Sequence, residues 1–280
     1  MEWDGPILDN HLHLRASGGR GLDAVEDFVG AGGTHLIILN LPSWSTGTIV
    51  SEPDGFREGF AETVALVHDA NELLPGRAWA VLGVHPGIVS QLIENANVSL
   101  EQAASLMRAG IDVAASFVAD GEAIALKSGR PHYPVSEDVW DLSNSIMRYT
   151  FSRAAELGCP VQLHTEASDD LSEIAAWATA EGMEEHAVVK HYATGAVTGP
   201  IPSVIAKKGA LQGIDPTKPF FMETDYLDDP TRPGAVLGPK TVPRRVDWLA
   251  SEGKQHAIEM AHVTAPNLVY GIDTRETLDI

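Results

Sequence analysis

Apolar and polar residues follow two alternating patterns along the chain. Short apolar runs rich in Val, Ile and Leu are typical of buried strands, and longer stretches with apolar residues at helical spacing separate them. The predicted strands are residues 6–14, 34–41, 78–85, 120–127, 159–164, 186–191 and 219–225, with 209–214 as a candidate for one more. The predicted helices are residues 21–32, 54–74, 99–110, 136–158, 168–183, 200–208, 240–253 and 254–270.

This alternation predicts repeated βα units around a parallel sheet. Seven or eight such units in 280 residues favour a (β/α)8 TIM barrel of the α/β class over a doubly wound sheet. No Ser/Gly/Pro-rich linker divides the chain, so we expect residues 1–280 to form a single domain. No glycine-rich phosphate loop follows the first predicted strand, which counts against dinucleotide binding. Ser136 and Ser168, each followed by acidic residues, are predicted helix N-caps.

The composition is strongly acidic. The chain has 39 acidic and 19 basic side chains, only seven of them lysine, and a formal net charge of −20. This composition resembles that of proteins from salt-accumulating, halophilic archaea. It also counts against non-specific nucleic-acid binding, which depends on Lys and Arg side chains that neutralise phosphates. We therefore expect a small-molecule substrate rather than a nucleic acid.

The single cysteine and the N-terminal sequence indicate the cellular compartment in which we expect the protein. The one cysteine, Cys159, lies in an apolar run, where we expect a small buried hydrophobic residue in a reducing compartment. The N-terminus does not resemble a signal peptide, and no stretch reaches the roughly 20 apolar residues of a membrane span. These features predict a soluble cytoplasmic protein without a membrane partner, and they leave monomer and homo-oligomer open.

Polar residues with metal-binding chemistry end most of the predicted strands. They are His11, His13, His85, Lys127, His164, His191 and Asp225. In a parallel barrel the carboxyl ends of all strands open on one face, where the active sites of this fold lie. His11 and His13 are two residues apart, so their side chains leave the same face of the strand. Because imidazole and carboxylate groups bind zinc and similar ions, the set predicts a divalent metal site.

The remaining histidines carry less weight. For His85, a structural residue and a site residue are equally good interpretations. The histidines that we expect at surface or packing positions are His35, His68, His186 and His256.

Six motifs, taken in order, resemble those of the TatD-related metal-dependent hydrolases of the amidohydrolase superfamily. They are DNHLHL (9–14), GVHP (83–86), PVQLHTE (160–166), VVKHYATG (188–195), METDYLDDP (222–230) and AHVTAPNLVYG (261–271). The resemblance covers nearly the whole chain and implies a distorted TIM barrel with one or two divalent ions. We expect two zinc ions, with manganese, cobalt or nickel as alternatives.

The resemblance also implies roles for individual residues. His11, His13 and Asp225 would hold the more buried ion, and His164 and His191 the more exposed one. A metal-bound hydroxide would attack the substrate while Asp225, the catalytic residue, transfers the proton. In the same motif as Asp225, Glu223 would orient a ligand histidine.

The chain departs from the family at the bridge between the two ions. TatD proteins usually have a glutamate at the end of the fourth strand, where this chain has Lys127. Glu122 would lie about 16 Å away at the other end of the strand. Other branches of the superfamily, phosphotriesterase-like and dihydroorotase-like enzymes among them, have at this place a lysine that has reacted with carbon dioxide to give an anionic, bidentate carbamate. The resemblance to the superfamily therefore suggests a carbamate on Lys127. The alternatives are an ammonium that replaces one ion and a lysine with a structural role.

The loop after the fourth predicted strand contains Arg130 and His132, which we expect to overhang the site. A guanidinium beside a metal centre suits an anionic substrate, although an arginine in a surface ion pair is an equally good interpretation. With His85, these two are the predicted substrate-binding residues. Lys190 should point away from the barrel interior, opposite to its neighbour His191.

The leading hypothesis is a metal-dependent hydrolase with a binuclear centre that cleaves an ester, lactone, amide or phosphoester bond. The lysine favours lactones, cyclic amides or phosphotriesters. The alternatives are a TatD-like metal-dependent deoxyribonuclease, a catalytically inactive metal-binding barrel, and a histidine-rich lyase or isomerase without metal.

Overall fold

The computed structural model describes residues 2–46, 50–95, 98–231 and 237–279. Within these ranges, nine strands form one sheet in which all neighbours are parallel. The strands are β1 (Leu8–His13), β2 (His35–Leu39), β3 (Ala78–Gly83), β4 (Ala125–Gly129), β5 (Val161–His164), β6 (Val188–Ala193), β7 (Ile201–Ile205), β8 (Phe221–Glu223) and β9 (Tyr226–Leu227). Their order in the sheet is β8-β7-β6-β5-β4-β3-β2-β1-β9.

The sheet closes on itself because β9 continues β8. Only Thr224 and Asp225 separate these two strands, and β9 pairs with β1 at the far edge of the sheet. The Asp225 amide donates to the carbonyl oxygen of His11 at 2.9 Å, so the turn itself is joined to β1. The predicted fold, a distorted (β/α)8 TIM barrel, is confirmed.

Helices connect most of the strands. They are α1 (Leu22–Gly30), α2 (Pro53–Leu73), α3 (Ile88–Asn95), α4 (Leu100–Ala119), α5 (Glu137–Leu157), α6 (Ser172–Ala180), α7 (Lys208–Gln212), α8 (Thr241–Ser251), α9 (Gln255–Glu259) and α10 (Ala265–Tyr270). A π-helical turn, Met260–Thr264, joins α9 to α10, and short 3-10 helices span Ser43–Thr46 and Glu276–Asp279.

Membrane topology and domain count were both predicted from the sequence. Within the described ranges, no helix has the length and apolar character needed to span a membrane. The cytoplasmic location and the single domain over residues 1–280 stay predictions.

The two predicted N-caps have different outcomes. Ser136 caps α5, since its hydroxyl accepts a hydrogen bond from the Val139 amide at 3.4 Å. Ser168 does not cap α6, and its hydroxyl donates to the carbonyl oxygen of Asp170 at 2.8 Å. That prediction is wrong because Asp170 first forms a parallel bridge with Thr198, which delays the start of the helix.

The predicted elements between β6 and β8 are wrong. Residues 200–208 are predicted to be helical and 209–214 to be a strand candidate, whereas β7 lies within the first range and α7 starts at its last residue and occupies most of the second. Pro202 has no amide hydrogen for a helix, and β-branched neighbours favour a strand. The strand fills the position between β6 and β8, where it pairs with both. Sequence analysis also misses α3 and ends α4 too early, at 110 instead of Ala119.

The barrel interior contains an apolar layer closed by the last helix. This layer consists of Leu8, Ile37, Leu39, Val81, Ala125, Val189 and Phe221, with Ala265 and Val269 of α10 packed against it. Because the Leu8 amide donates to His262 Nδ1 just before α10, this helix closes the amino-terminal end of the barrel. Cys159 is buried, as predicted.

Candidate metal centre

The two histidines of β1 present the same nitrogen to the barrel interior. His13 Nδ1 lies 3.0 Å from the carbonyl oxygen of Leu39, which can only accept, so Nδ1 carries the proton. His11 Nδ1 lies 2.7 Å from Gln162 Oε1. The Gln162 amide nitrogen donates to the carbonyl oxygen of Asn10 at 3.1 Å, which leaves Oε1 to accept from His11. Both imidazoles therefore keep a lone pair on Nε2.

His191 of β6 joins this group. Its ring stacks on that of His11, with centroids 3.6 Å apart and planes inclined by 16°. Its Nδ1 lies 2.8 Å from Glu223 Oε1, although the geometry is not that of a hydrogen bond. The short distance to a carboxylate oxygen favours a proton on Nδ1 and a lone pair on Nε2. Tyr192, the next residue, has a positive φ of 56°, and its amide donates to the same carboxylate oxygen at 2.8 Å. The orienting role of Glu223 stays a prediction, which this contact supports.

Asp225 lies in the turn between β8 and β9. Its φ of 48° is uncommon for a residue with a side chain and persists only where the surroundings fix it. Its Oδ1 lies 3.9 Å from Nε2 of His11, 4.0 Å from Nε2 of His13 and 3.9 Å from Nε2 of His191. For comparison, ligand atoms of one tetrahedral zinc ion lie about 3.4 Å apart when the bonds are about 2.1 Å. Asp225 Oδ1 thus lies near the Nε2 atoms of all three histidines, at distances about 0.5 Å longer than those in one ligand set.

The arrangement of these donor atoms favours a bound cation. His11 Nε2 is buried and has no hydrogen-bond partner in the part of the chain that the structure describes. A buried lone pair that faces other lone pairs and a carboxylate oxygen is unfavourable unless a positive charge lies between them. One ligand atom from each of His11, His191 and Asp225 lies within 4.8 Å of the others, which suits a metal ion.

Burial keeps the imidazoles in their neutral form. Desolvation is the main cause that lowers the pKa of His11 and His191 well below the ordinary value and that of His13 to about 3. Neighbouring basic groups lower these pKa values further. Burial, with a smaller effect of the Asp225 charge, raises the pKa of Glu223 well above its usual range. Because the neutral imidazole is the form that binds metals, the site needs no deprotonation step to bind an ion.

A second group of histidines lies at the rim, where β5 ends. His164 Nε2 lies 2.8 Å from His132 Nδ1. The ring centroid of His164 lies 4.6 Å from that of His85 and 5.5 Å from that of His191. His132 is exposed, whereas burial lowers the pKa of His164 to about 2. The two residues predicted to hold the more exposed ion, His164 and His191, are therefore neighbours.

Lys127 lies in the middle of β4, not at its end as predicted. The prediction is wrong because the strand continues to Gly129, and its last two residues pair with β5. Lys127 leaves the same face of the strand as Ala125, a member of the apolar layer, so its side chain points into the barrel. It is 3% exposed. Burial lowers its pKa to about 8, and the carboxylates of Asp225 and Glu223 oppose this effect.

Two other charged residues have separate roles. Glu122 is exposed in the segment before β4, at the closed end of the barrel, as the strand geometry predicts. Lys190 is buried, and its Nζ donates to the carbonyl oxygens of Thr165 and His191 at 3.1 and 2.7 Å. Lys190 therefore holds the backbone at the ends of β5 and β6.

Arg130 is bound to other residues of the protein. Its Nε donates to Glu166 Oε2 at 2.8 Å, and Nη2 forms an ion pair with the other carboxylate oxygen. Nη1 donates to Asn144 at 3.1 Å, and the guanidinium lies 4.3 Å from the centre of the Trp140 ring. These contacts join the ends of β4 and β5 to α5. The contact of Arg130 with substrate stays a prediction.

Asp9 supports the centre, and sequence analysis misses it. Its Oδ1 accepts from the Thr224 amide at 3.0 Å and from the His11 amide at 3.3 Å, and Oδ2 accepts from the Thr224 hydroxyl at 2.6 Å. Asp9 thus joins β1 to the turn that contains Asp225. Burial raises its pKa to about 7, against the effect of these hydrogen bonds. Its role could have been predicted from the sequence, because an acidic residue inside the apolar run of the first strand needs hydrogen-bond partners.

Asp228 fixes the loop that follows β1. Its carboxylate accepts from the amides of Arg15, Arg20 and Gly21 at 3.1, 2.7 and 2.8 Å. A Cβ atom on Gly19 would lie 2.4 Å from Asp228 Oδ2, so this turn needs a glycine at that position. The loop beside the metal centre is therefore held by the residue that directly follows β9.

The chain matches known proteins over nearly its whole length. The family model described as TatD related DNase matches residues 8–270. An uncharacterized protein of Methanocaldococcus jannaschii is 33% identical over 283 residues, which cover 96% of each chain.

Solved structures share the fold at low sequence identity. A TatD homologue from Escherichia coli has a TM-score of 0.59 and 16% identity, with 95% of this chain and 98% of that one covered. A lactonase from Listeria monocytogenes has a TM-score of 0.60 and 12% identity, with 95% and 94% covered. With the family match and the histidine and aspartate constellation, these findings lead to one conclusion: the chain belongs to the TatD-related family of metal-dependent hydrolases.

Proposed function

We propose that the protein hydrolyses a small molecule at a centre of two divalent ions, zinc first, with manganese, cobalt or nickel as alternatives. The observation that carries the proposal is the position of Asp225 Oδ1, which lies within 4.0 Å of the Nε2 atoms of His11, His13 and His191. In this proposal His11, His13 and Asp225 hold the more buried ion. His164 and His191 hold the more exposed one.

The residues of the chain prepare the site for hydrolysis. Bound divalent ions supply Lewis acidity and lower the pKa of water near them. Asp225, with a side chain 20% exposed, faces both the imidazoles and the open end of the barrel, where it accepts the proton of the attacking water. Gln162 and Glu223 keep the protons of His11 and His191 on Nδ1, so these rings stay in the ligand form.

In the proposed centre Lys127 would carry a carbamate whose oxygen atoms could hold both ions. The ammonium first loses one proton to solvent. Carbon dioxide then reacts with the neutral amine: a C–N bond forms, a second proton leaves the nitrogen for solvent, and the side chain becomes an anion with two oxygen atoms. The inward direction of Lys127 and its burial support the assignment. An ammonium in the same place would repel the ions. The alternative is an unmodified Lys127 beside a single ion.

A cavity beside the rim supports a small substrate. It has a volume of about 360 Å³ and lies at the ends of β1, β2 and β3 against α2, with His85 in its wall. Phe56 and Ile88 give it apolar surface, Glu58 and Glu62 add carboxylates, and Arg15 adds one guanidinium. The volume suits a small molecule, and the excess of carboxylates over basic groups disfavours a nucleic-acid strand.

The proposed substrate contacts come from the rim. His85 lines the cavity and His132 is exposed beside His164, so both can reach a bound molecule. Arg130 would reach an anionic substrate only by leaving Glu166, so we assign it to holding the rim in place. The bond that is cleaved is an ester, lactone, amide or phosphoester, and the carbamate favours lactones, cyclic amides or phosphotriesters.

A metal-dependent deoxyribonuclease is the second candidate, because the matching family is described as TatD related DNase. A catalytically inactive metal-binding barrel is the third.

Hydrolysis assays with the zinc-loaded protein separate these candidates. We expect turnover of lactones, esters or phosphotriesters that a chelator abolishes, and no binding of single-stranded DNA at low salt. DNA cleavage with salt-dependent affinity would replace the proposal with the nuclease. Turnover that survives the chelator would contradict any metal-dependent reaction. Bound zinc without turnover of any of these substrates would leave the inactive barrel.

A further inference from the structure

A chain of buried hydrogen bonds runs from His11 toward the closed end of the barrel. His11 Nδ1 donates to Gln162 Oε1 at 2.7 Å. Gln162 Nε2 donates to the carbonyl oxygen of Asn10 at 3.1 Å and to the Tyr270 hydroxyl at 2.8 Å. The Tyr270 hydroxyl donates in turn to Asn10 Oδ1 at 3.0 Å. Both amide hydrogens of Gln162 are therefore used.

A second branch reaches the other stacked imidazole. Asn10 Nδ2 donates to Ser203 Oγ at 3.0 Å, and the Ser203 hydroxyl donates to Glu223 Oε2 at 2.5 Å. The other oxygen of Glu223 lies 2.8 Å from His191 Nδ1. Because His191 stacks on His11, the two branches end on neighbouring rings of the metal centre.

The direction of these hydrogen bonds follows from one main-chain oxygen. The Asn10 carbonyl can only accept, so Gln162 turns its nitrogen toward that oxygen and its own oxygen toward His11. The Tyr270 hydroxyl receives from Gln162 and so donates to the side-chain oxygen of Asn10. The side-chain nitrogen of Asn10 is then left for Ser203. Reversing any member would bring two acceptors or two donors together in a buried region, which is unfavourable.

Tyr270 enters this network from the far end of the barrel. It is the last residue of α10, which closes the apolar layer with Ala265 and Val269. Its ring packs against Phe221, with centroids 5.4 Å apart. The helix that closes the barrel therefore places one hydroxyl group beneath the metal centre.

We propose that Gln162 and Tyr270 are positioning residues for the imidazoles that bind the metal. They keep the proton of His11 on Nδ1, and through Asn10 they keep Glu223 in contact with His191. The inference rests on the proposed metal centre and deepens it, since it gives residues from β5 and α10 a role in the affinity for a divalent cation.

Zinc binding to four variants tests this inference. Gln162→Leu removes the acceptor of His11, Gln162→Glu keeps an acceptor, and Tyr270→Phe removes one hydroxyl. Tyr149→Phe is the matched control, because its hydroxyl donates to Asp112 at the surface, at 2.7 Å. The measurements are the zinc Kd, by competition with a chromophoric chelator, and the Tm of the metal-free protein.

The variants should separate affinity from stability. Gln162→Leu should raise the zinc Kd by roughly 10–100-fold, and Tyr270→Phe, which acts through Gln162, by about 3–10-fold. Gln162→Glu should stay within about threefold of the wild-type Kd, since a carboxylate also orients a ligand histidine. It should nevertheless lower Tm, because it cannot donate to Asn10 and Tyr270. Tyr149→Phe should leave the Kd unchanged.

Two results would overturn the inference. One is a wild-type Kd in both Gln162→Leu and Tyr270→Phe. The other is a Kd that rises with the loss of Tm in every variant, Gln162→Glu included, which would mean a structural role alone. If Gln162→Leu does not fold, imidazole 15N shifts of metal-free Tyr270→Phe decide: we expect a larger fraction of the Nε2–H tautomer of His11 than in the wild type, and unchanged shifts would contradict us. A wild-type protein that binds no zinc would overturn the proposed centre itself, and this inference with it.

Discussion

Two groups of buried histidines lie at opposite ends of the barrel. His11, His13 and His191 lie in the carboxyl-terminal halves of β1 and β6, and His35 and His262 lie at the amino-terminal end of the barrel. Burial is the first cause that lowers the pKa of all five below the ordinary value. By burial and charge alone, the two groups could not be told apart.

The hydrogen bonds of the histidines at the closed end of the barrel differ from those at the open end. His35 Nδ1 lies 2.6 Å from the Thr34 hydroxyl and Nε2 lies 2.9 Å from the Thr277 hydroxyl, so both nitrogens have partners. His262 Nδ1 accepts from the Leu8 amide at 3.0 Å, which places the proton on Nε2. Neither ring therefore offers an unused lone pair to a metal. In contrast, the three imidazoles at the open end turn lone pairs toward one carboxylate oxygen.

The difference shows how a buried histidine suited to metal binding can be distinguished from one with a structural role. The hydrogen-bond partner of the ring sets which nitrogen carries the proton, and so whether a lone pair is left for a metal ion. A carbonyl, amide or carboxylate oxygen at Nδ1 leaves a lone pair on Nε2, whereas an amide hydrogen at Nδ1 removes it. The following predictions test this distinction.

Asp225→Asn should have the largest effect. Turnover should fall by about 10²–10⁴-fold because the proton acceptor is lost, while the imidazoles still bind zinc. The measurements are kcat and zinc content on the same samples. Asp215→Asn, at an exposed carboxylate, is the control and should keep wild-type turnover. An Asp225→Asn enzyme within tenfold of wild type would contradict the assigned role.

His11→Gln and His35→Gln should have opposite effects. His11→Gln should raise the zinc Kd by more than about 100-fold, because it removes a ligand. This exceeds the roughly 10–100-fold loss of affinity expected when only a hydrogen-bond partner of a ligand is removed. His35→Gln should leave the Kd unchanged and lower the free energy of unfolding by about 1–3 kcal/mol, since buried hydroxyl partners lose their contacts. Zinc titration and urea unfolding check the pair. Equal effects on Kd would remove the distinction between the two ends.

Lys127→Met should lower the zinc content from two equivalents to one. The bridge is lost, but His11, His13 and Asp225 remain. Lys190→Met is a matched control, because Lys190 is also buried with a pKa lowered to about 8 but donates to main-chain carbonyls. Native mass spectrometry should also show the mass of one carbon dioxide on the wild type and on Lys190→Met, but not on Lys127→Met. Two equivalents in Lys127→Met would refute the carbamate bridge.

The pH dependence of stability should show the smallest effect. Burial lowers the pKa of His35 and His262 to about 3, so between the ordinary value of 6.5 and this value the unfolded chain binds protons that the folded protein does not. Their contribution is complete above pH 6.5 and is lost as the pH falls toward 3. Asp9, with a pKa raised to about 7, acts in the opposite direction, and its contribution is lost as the pH rises through 7.

Comparison of metal-free wild type with His35→Gln isolates the histidine, since Asp9 is common to both. The free energy of unfolding, measured in urea from pH 7 to pH 4, should fall less steeply in the variant. If the two proteins gave parallel curves of unfolding free energy against pH, His35 would bind the same number of protons in the folded and the unfolded state, which would contradict the prediction.

Much of the fold could be predicted from the sequence because parallel strands carry local signals. The strands that contain His11, His164 and His191 are continuous apolar runs, and their polar ends meet through topology alone. The segment 200–214 could not be predicted, because its structure is decided by the vacant position between β6 and β8 rather than by local propensity.

The candidate site was predictable in its members but not in its connections. Asp225 and the histidines follow from strand ends, whereas the hydrogen bond between Gln162 and Tyr270 joins residues 108 positions apart. The ion pair between Arg130 and Glu166 likewise depends on how β4 and β5 end side by side. Such partners are set by three-dimensional packing, so a single sequence does not reveal them.

Metal content per chain tests the central claim most directly. Elemental analysis of protein purified without chelator or affinity-tag metal, and then reconstituted with zinc, should find two equivalents. One equivalent would keep the ion at His11, His13 and Asp225 and remove the carbamate bridge. No bound metal, even after reconstitution, would contradict the claim that these side chains form a metal centre.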